Sequence, residues 1–146
     1  MSFVTKTLVI GLVLAAGVAI AKEGVQDPTV KARMDLMAIN GKSAKTLGQM
    51  AAGETAFDAA AAEAAKAALI DTSSQIAAKF ETQASDPVSE ALPVIWTNWD
   101  EFTATATRLN AAATALDASS LDGVKAGMAA IGGTCKDCHT TFRLKK

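Results

Sequence analysis

The sequence predicts an all-α fold, an antiparallel up-down-up-down four-helix bundle, and three observations carry that prediction. Alanine is abundant and runs of β-branched residues are few, a composition that favours helix over strand. Apolar residues recur with a 3.6-residue period and show almost no period-two alternation. Four amphipathic stretches are joined by three connections, which turns each helix back along the one before it. The chain has 146 residues, half of them apolar, which suits one domain and leaves no room for two.

The N-terminal stretch stands apart from the bundle. "MSFVTK" is a short start with one lysine, and "TLVIGLVLAAGVAI" is an uninterrupted apolar run. Ala19 and Ala21 have the spacing that a signal peptidase prefers. Residues 1–21 therefore read as a secretory signal peptide, cut after Ala21, and residues 22–146 as the mature domain. The competing reading is a permanent anchor, but the run is shorter than the roughly 20 residues a spanning helix needs. No stable membrane anchor is expected after cleavage.

The first helix begins at "QDPTVKARM", where Asp27 can cap and Pro28 fits the first helical position. It runs to about Met50, and Gly53 can take the left-handed turn beyond it. The second helix starts after Phe57 with Asp58 as cap and continues through "AAAAEAAKAALIDTSSQIAAKF". Ala65, Leu69, Thr72, Ile76 and Phe80 form its inner stripe. "ETQASDPVSEALP" is polar and holds two of the three prolines, so it is a loop. The third helix follows from about Pro93, with Ile95, Trp99, Phe102, Ala106, Leu109, Ala113 and Leu116 on one face. Ser119 or Ser120 can cap the fourth. There Leu121, Val124, Met128, Ile131, Cys135, His139 and Phe142 share a face.

These inward faces are dominated by alanine, and burying a methyl yields far less than burying a leucine. A bundle of this size with such a core is marginal alone, so something bulky is expected to fill the middle. Charge narrows the partners. Cleavage removes Lys6 and no acid, taking 14 basic against 15 acidic residues to 13 against 15, a net charge of −2. A slightly acidic chain argues against nucleic acid as a partner.

Both cysteines and the only histidine fall within five consecutive residues, Cys135-Lys136-Asp137-Cys138-His139. This is the C-x-x-C-H pattern of covalent haem attachment. On a helix the three side chains project from one face, at i, i+3 and i+4. Two thiols can then bond the two vinyl groups at a porphyrin edge, while the imidazole supplies a nitrogen to the iron. Thioether formation also consumes thiols that an oxidising compartment would otherwise pair. A structural zinc site wants four ligands, usually cysteine or histidine, and only three such residues exist. A thioredoxin-type pair belongs in a βαβ setting, which is absent. A plain disulfide leaves the adjacent histidine unexplained.

The other side of the iron decides the function. A methionine sulfur gives a six-coordinate centre suited to electron transfer and raises its potential, whereas an open side binds small gases. Of the four methionines after the leader, Met128 lies eleven residues before His139 on the same helix, about 16 Å along its axis, and cannot reach the opposite face. Met50 sits at the far end of the first helix. Met34 and Met37, one turn apart, both remain on the residues alone.

With its attachment motif in the last helix of a bundle, the chain resembles the class II c-type cytochromes, the cytochrome c prime family with its low-spin c-556 members. The resemblance spans essentially the whole mature chain and rests on "VKARMDLM", "GETAFDAAA", "LPVIW" and "IGGTCKDCHTTFR". The last is specific; the others carry weight through their order. A short loop before the third helix and the alanine excess depart from the pattern. The resemblance implies one covalent haem c enclosed by the bundle and a periplasmic location. "LMAING" is similar to the L-M-x-x-N-G stretch of the c-556 type, which implies Met37 as the second iron ligand. Arg33 and Arg143 match positions near the haem, where guanidinium can hold a propionate. Trp99 and Phe102 are expected to touch the porphyrin from the core, and Gly41, one turn beyond Met37, to let it approach the helix.

The expected function is one-electron transfer with redox partner proteins, by a haem ligated through His139 and Met37. The alternative is a high-spin cytochrome c prime that binds nitric oxide or carbon monoxide. No enzymatic activity is expected, since no second histidine exists to act as a distal acid–base group. Homodimerisation is the remaining expectation, because alanine-rich helix faces permit close approach and some relatives dimerise.

Overall fold

The computed structural model describes residues 24–145; the predicted signal peptide lies outside them. Four long helices form the bundle. They are α1 (Pro28–Ala52), α2 (Ala59–Ser74), which α3 (Ile76–Phe80) extends, α5 (Trp99–Ala115), which α4 (Val94–Thr97) precedes, and α6 (Leu121–Phe142). α1 packs against α2 and α6, and α5 against the same two, closing the ring of neighbours expected of an up-down-up-down bundle.

The predicted boundaries follow from local chemistry. The Asp27 carboxylate accepts the Thr29 and Val30 N–H groups at 2.7 and 2.9 Å, satisfying donors that a helix start leaves unpaired. Gly53, at φ 76°, donates back to the carbonyls of Gln49 and Met50, the left-handed ending that glycine makes cheap. Asp58 caps α2 through Ala61 N–H, and Ser120, rather than Ser119, caps α6 through Gly123 N–H.

Two expected helices are interrupted. The second breaks at Gln75, where Thr72, Ser73 and Ser74 each turn a hydroxyl onto a carbonyl of the preceding turn. Such bonds compete with the helical ladder. The third breaks at Asn98, whose φ −126° and ψ 51° are not helical. The indole of Trp96 is held there by the Phe80 carbonyl at 2.8 Å.

All five predicted stripe residues of α2–α3 are buried, as are Ile95, Phe102, Ala106, Leu109, Ala113 and Leu116. Trp99 is half-buried. The core is tight where α1 ends and α6 begins. A Cβ added at Gly127 would meet Leu116 Cδ1 at 2.9 Å, too close to fit unless something shifts, while one at Gly48 would make an ordinary contact with Met128 Cε at 3.7 Å.

Candidate functional site

At the other end of the same two helices the bundle opens into a cavity of about 480 Å³. The N-terminal half of α1 lines it with Met34, Met37 and Gly41; the C-terminal end of α6 lines it with Cys138, His139 and Phe142. Phe102 forms part of the floor and packs edge-on against Phe142, with ring centroids 5.3 Å apart. Helical spacing explains the assembly. Met34, Met37 and Gly41 follow one another at i, i+3 and i+7, and Cys138, His139 and Phe142 at i, i+1 and i+4, so each set occupies one side of its helix.

Most predicted site residues converge here: Arg33, Met37, Phe102, Cys138, His139 and Arg143 all border the cavity. Cys135 lies one turn back on α6, half-buried against the core. Trp99 stands behind Phe102, stacked on it with centroids 5.6 Å apart, and is not one of the cavity's walls. Met50 is buried in the core and Met128 packs against it.

Burial sets the electrostatics. It pushes the Cys138 thiol up to about 11, with Cys135 reinforcing and Arg108 opposing the shift, and it raises Cys135 as well. Thiols so placed are not the activated thiolates of a redox pair. Burial also lowers the proton affinity of His139, helped by Arg143 and opposed by Glu90, which favours the neutral ring that can offer a lone pair to a metal.

Arg33, expected near the haem, is a buried wall. It is only 2 % exposed, and its guanidinium donates to the carbonyls of Lys79 at 2.9 Å, Ala84 at 3.4 Å and Thr82. It also lies 4.9 Å from the Phe80 ring centroid and 5.3 Å from that of Trp96. Three of its five N–H groups are thereby used, and burial lowers its pKa, with Asp27 opposing at longer range.

The segment between α3 and α4, read from sequence only as a polar loop, forms the remaining wall through Val88, Ser89, Glu90 and Ala91. Its anchors are long-range. Asp86 Oδ2 accepts the N–H groups of Gln26 and Asp27 at 2.8 and 2.9 Å. An isolated antiparallel bridge joins Ala91 to Arg143, with Leu92 N–H on Phe142 O at 3.0 Å and Leu144 N–H on Glu90 O at 2.8 Å. Only the Asp-Pro pair hinted at this order, since Asp86 also turns back onto Val88 N–H at 3.0 Å as aspartate does in turns.

The cavity fits a flat apolar macrocycle with acidic edge groups. Its walls are mainly apolar, its basic side chains are arginines, and a Cβ built on Gly41 would meet nothing within 4 Å. The family model described as Cytochrome C' matches residues 28–143. The chain belongs to the cytochrome c' family. A cytochrome c-556 of Agrobacterium fabrum is 36% identical over 149 residues, covering 98% of this chain and 95% of that one. A cytochrome c' of Rhodopseudomonas palustris is 33% identical over 138 residues, with 92% of each chain covered. The solved structure of a cytochrome c' from Rhodopseudomonas palustris superposes with a TM-score of 0.72 at 31% identity, covering 83% of this chain and 99% of that one. As a class II c-type cytochrome, the protein carries one haem c bound covalently through Cys135 and Cys138. No helix among the described residues is long and apolar enough to cross a membrane.

Proposed function

We propose that this cytochrome is an exported, periplasmic one-electron carrier of the c-556 kind, with His139 and Met37 as its two iron ligands. The observation that carries the reading is that His139 on α6 and Met37 on α1 line one cavity, so an imidazole nitrogen and a thioether sulfur are offered from different helices. The haem supplies the one-electron couple, and a methionine sulfur biases it toward the reduced state. The chain does the rest. Cys135 and Cys138 fix the cofactor's edge to α6, the apolar walls exclude water, and Arg33, buried with two N–H groups unused, is placed to receive a propionate. Redox proteins are its partners, and the alanine-rich faces of α1 and α2 allow a second copy to dock.

A second reading, reversible binding of nitric oxide or carbon monoxide, is favoured by the small residues beside Met37: Ala38 and Gly41 also line the cavity. One comparison separates the two. The reduced protein is expected to show sharp low-spin absorption bands and to bind carbon monoxide poorly, whereas Met37→Ala becomes high-spin and binds it readily. A wild-type protein that is already high-spin and takes up carbon monoxide as fast as Met37→Ala overturns the carrier reading in favour of gas binding.

A further inference from the structure

The ligand motif accounts for Cys135, Cys138 and His139, and the methionines for the opposite wall. It leaves unexplained a charge pair on the histidine's side. Glu90 comes from the loop before α4 and Arg143 from the residue after α6, and both border the cavity with His139. Arg143 Nε stands 4.0 Å from Glu90 Oε2, the two side chains being 51% and 26% exposed.

Surface pairs at this separation are ordinarily worth little, because two long side chains must be held against their own freedom. Here the backbone does much of the holding. Glu90 O accepts Leu144 N–H at 2.8 Å, and the neighbouring Ala91 is bridged to Arg143 itself. The loop carrying the carboxylate is thus sewn to the chain end that carries the guanidinium, four residues beyond His139. The far end of the loop is fixed too, by Asp86 on the Gln26 and Asp27 N–H groups.

We propose that Glu90 is a positioning residue for the redox centre: it holds Arg143 beside His139, and the two opposite charges balance each other's field at the iron. This rests on the reading of His139 as an iron ligand. Both charges act on the centre that His139 holds, since Glu90 and Arg143 border the same cavity as its imidazole. Oxidation adds one positive charge at the centre. A carboxylate nearby therefore favours the oxidised state and a guanidinium the reduced one, through a partly buried medium that screens less than water. Paired, they nearly cancel; separated, either leaves a net field.

The test is the midpoint potential of the full haem-loaded protein and five variants, each with its reduced absorption spectrum. Glu90→Gln is expected to raise the potential, enough to change the reduced-to-oxidised ratio several-fold at a fixed applied potential. Arg143→Gln is expected to lower it, and the double variant to return close to wild type. Glu90→Asp, which keeps the charge, stays close to wild type, and this separates charge from a merely structural role. Glu63→Gln, an exposed carboxylate of α2 that is not a cavity wall, serves as control and leaves the potential unmoved. Shifts of the same sign in Glu90→Gln and Arg143→Gln, or a Glu90→Gln shift no larger than the control's, overturn the proposal while the ligand reading stands. A wild-type spectrum without imidazole-bound iron removes the ligand reading, and this proposal with it.

Discussion

α1 and α6 meet twice, and the two meetings are built differently. At one end the C-terminal half of α1 and the N-terminal half of α6 touch directly. Leu47, Leu69, Leu116 and Val124 are among the largest fully buried side chains there, and Gly127 lets α6 close in on Leu116. At the other end the same helices stand apart around the cavity, above a floor that includes the buried Phe80, Ile95, Phe102 and Phe142. That end is held by polar tethers from side chain to backbone: Arg33 to the carbonyls of Lys79, Thr82 and Ala84, and Asp86 to the N–H groups of Gln26 and Asp27. Where a cofactor replaces core side chains, apolar packing cannot position the walls before it arrives. Directional hydrogen bonds can, because their geometry does not depend on filling the space.

The largest expected effect sharpens the contrast at the packed end. Leu69 is fully buried, and Leu69→Ala should cost about 2–5 kcal/mol, the range for deleting a leucine from a core that relaxes only partly. Thermal unfolding measures the loss. The absorption spectrum of the folded variant should be unchanged, since Leu69 is no wall of the cavity. A variant that keeps its stability but changes its spectrum would break the division between the two ends.

Arg33 comes second. Replacing it by methionine keeps much of the apolar stem but leaves three carbonyls without their donor, a loss on the order of 1–3 kcal/mol. The effect should be regional. Hydrogen exchange and proteolysis are expected to quicken within residues 81–92 and to stay unchanged in the turn between α5 and α6. If both regions open equally, Arg33 is a general core residue rather than a tether.

This division also marks what the sequence disclosed. Periodicity disclosed the packed faces, because Leu69 and Thr72 on α2, Ile76 and Phe80 on α3, and Phe102, Leu109 and Ala113 on α5 repeat with the turn of the helix. It disclosed the attachment motif for the same reason: Cys135, Cys138 and His139 are local neighbours. Met37 emerged from two candidates only through resemblance, and the geometry alone leaves Met34 beside it in the cavity wall. What stayed hidden joins residues far apart in sequence with no period to betray it. Asp86 reaches Gln26 across 60 residues and Arg33 reaches Lys79 across 46. The breaks at Gln75 and Asn98 were hidden too, since hydroxyl competition with a helix depends on side-chain rotamers that spacing does not record.

The smallest expected effect tests the contrast with acid, and each end has one carboxylate suited to it. At the packed end, Asp117 is held below the ordinary carboxylate range chiefly by the Ser119 hydroxyl and then by Ser119 N–H, its bonds spanning two or three residues. At the cavity end, Asp86 is likewise held low, first by Val88 N–H and then by Asp27 N–H, with burial opposing and Gln26 assisting. For both groups the folded value lies below the unfolded one. Each therefore contributes stability that is present above the unfolded value, about 3.9, and that is lost as pH falls through the folded value. The consequences differ because the tethers do. Protonating Asp117 frees a turn that the chain itself keeps short. Protonating Asp86 unfastens the loop of residues 81–92 from the start of α1, a connection made across 59 and 60 residues. Proteolysis below pH 4 should thus cut the loop well before the α5–α6 turn. In Asp86→Asn the loop should be cut faster at neutral pH and respond little to acid, since an amide offers one acceptor oxygen where the carboxylate offered two. Equal acid sensitivity at the two sites, or a loop in Asp86→Asn that still opens as pH falls, would mean that the cavity wall is fastened by something other than this carboxylate.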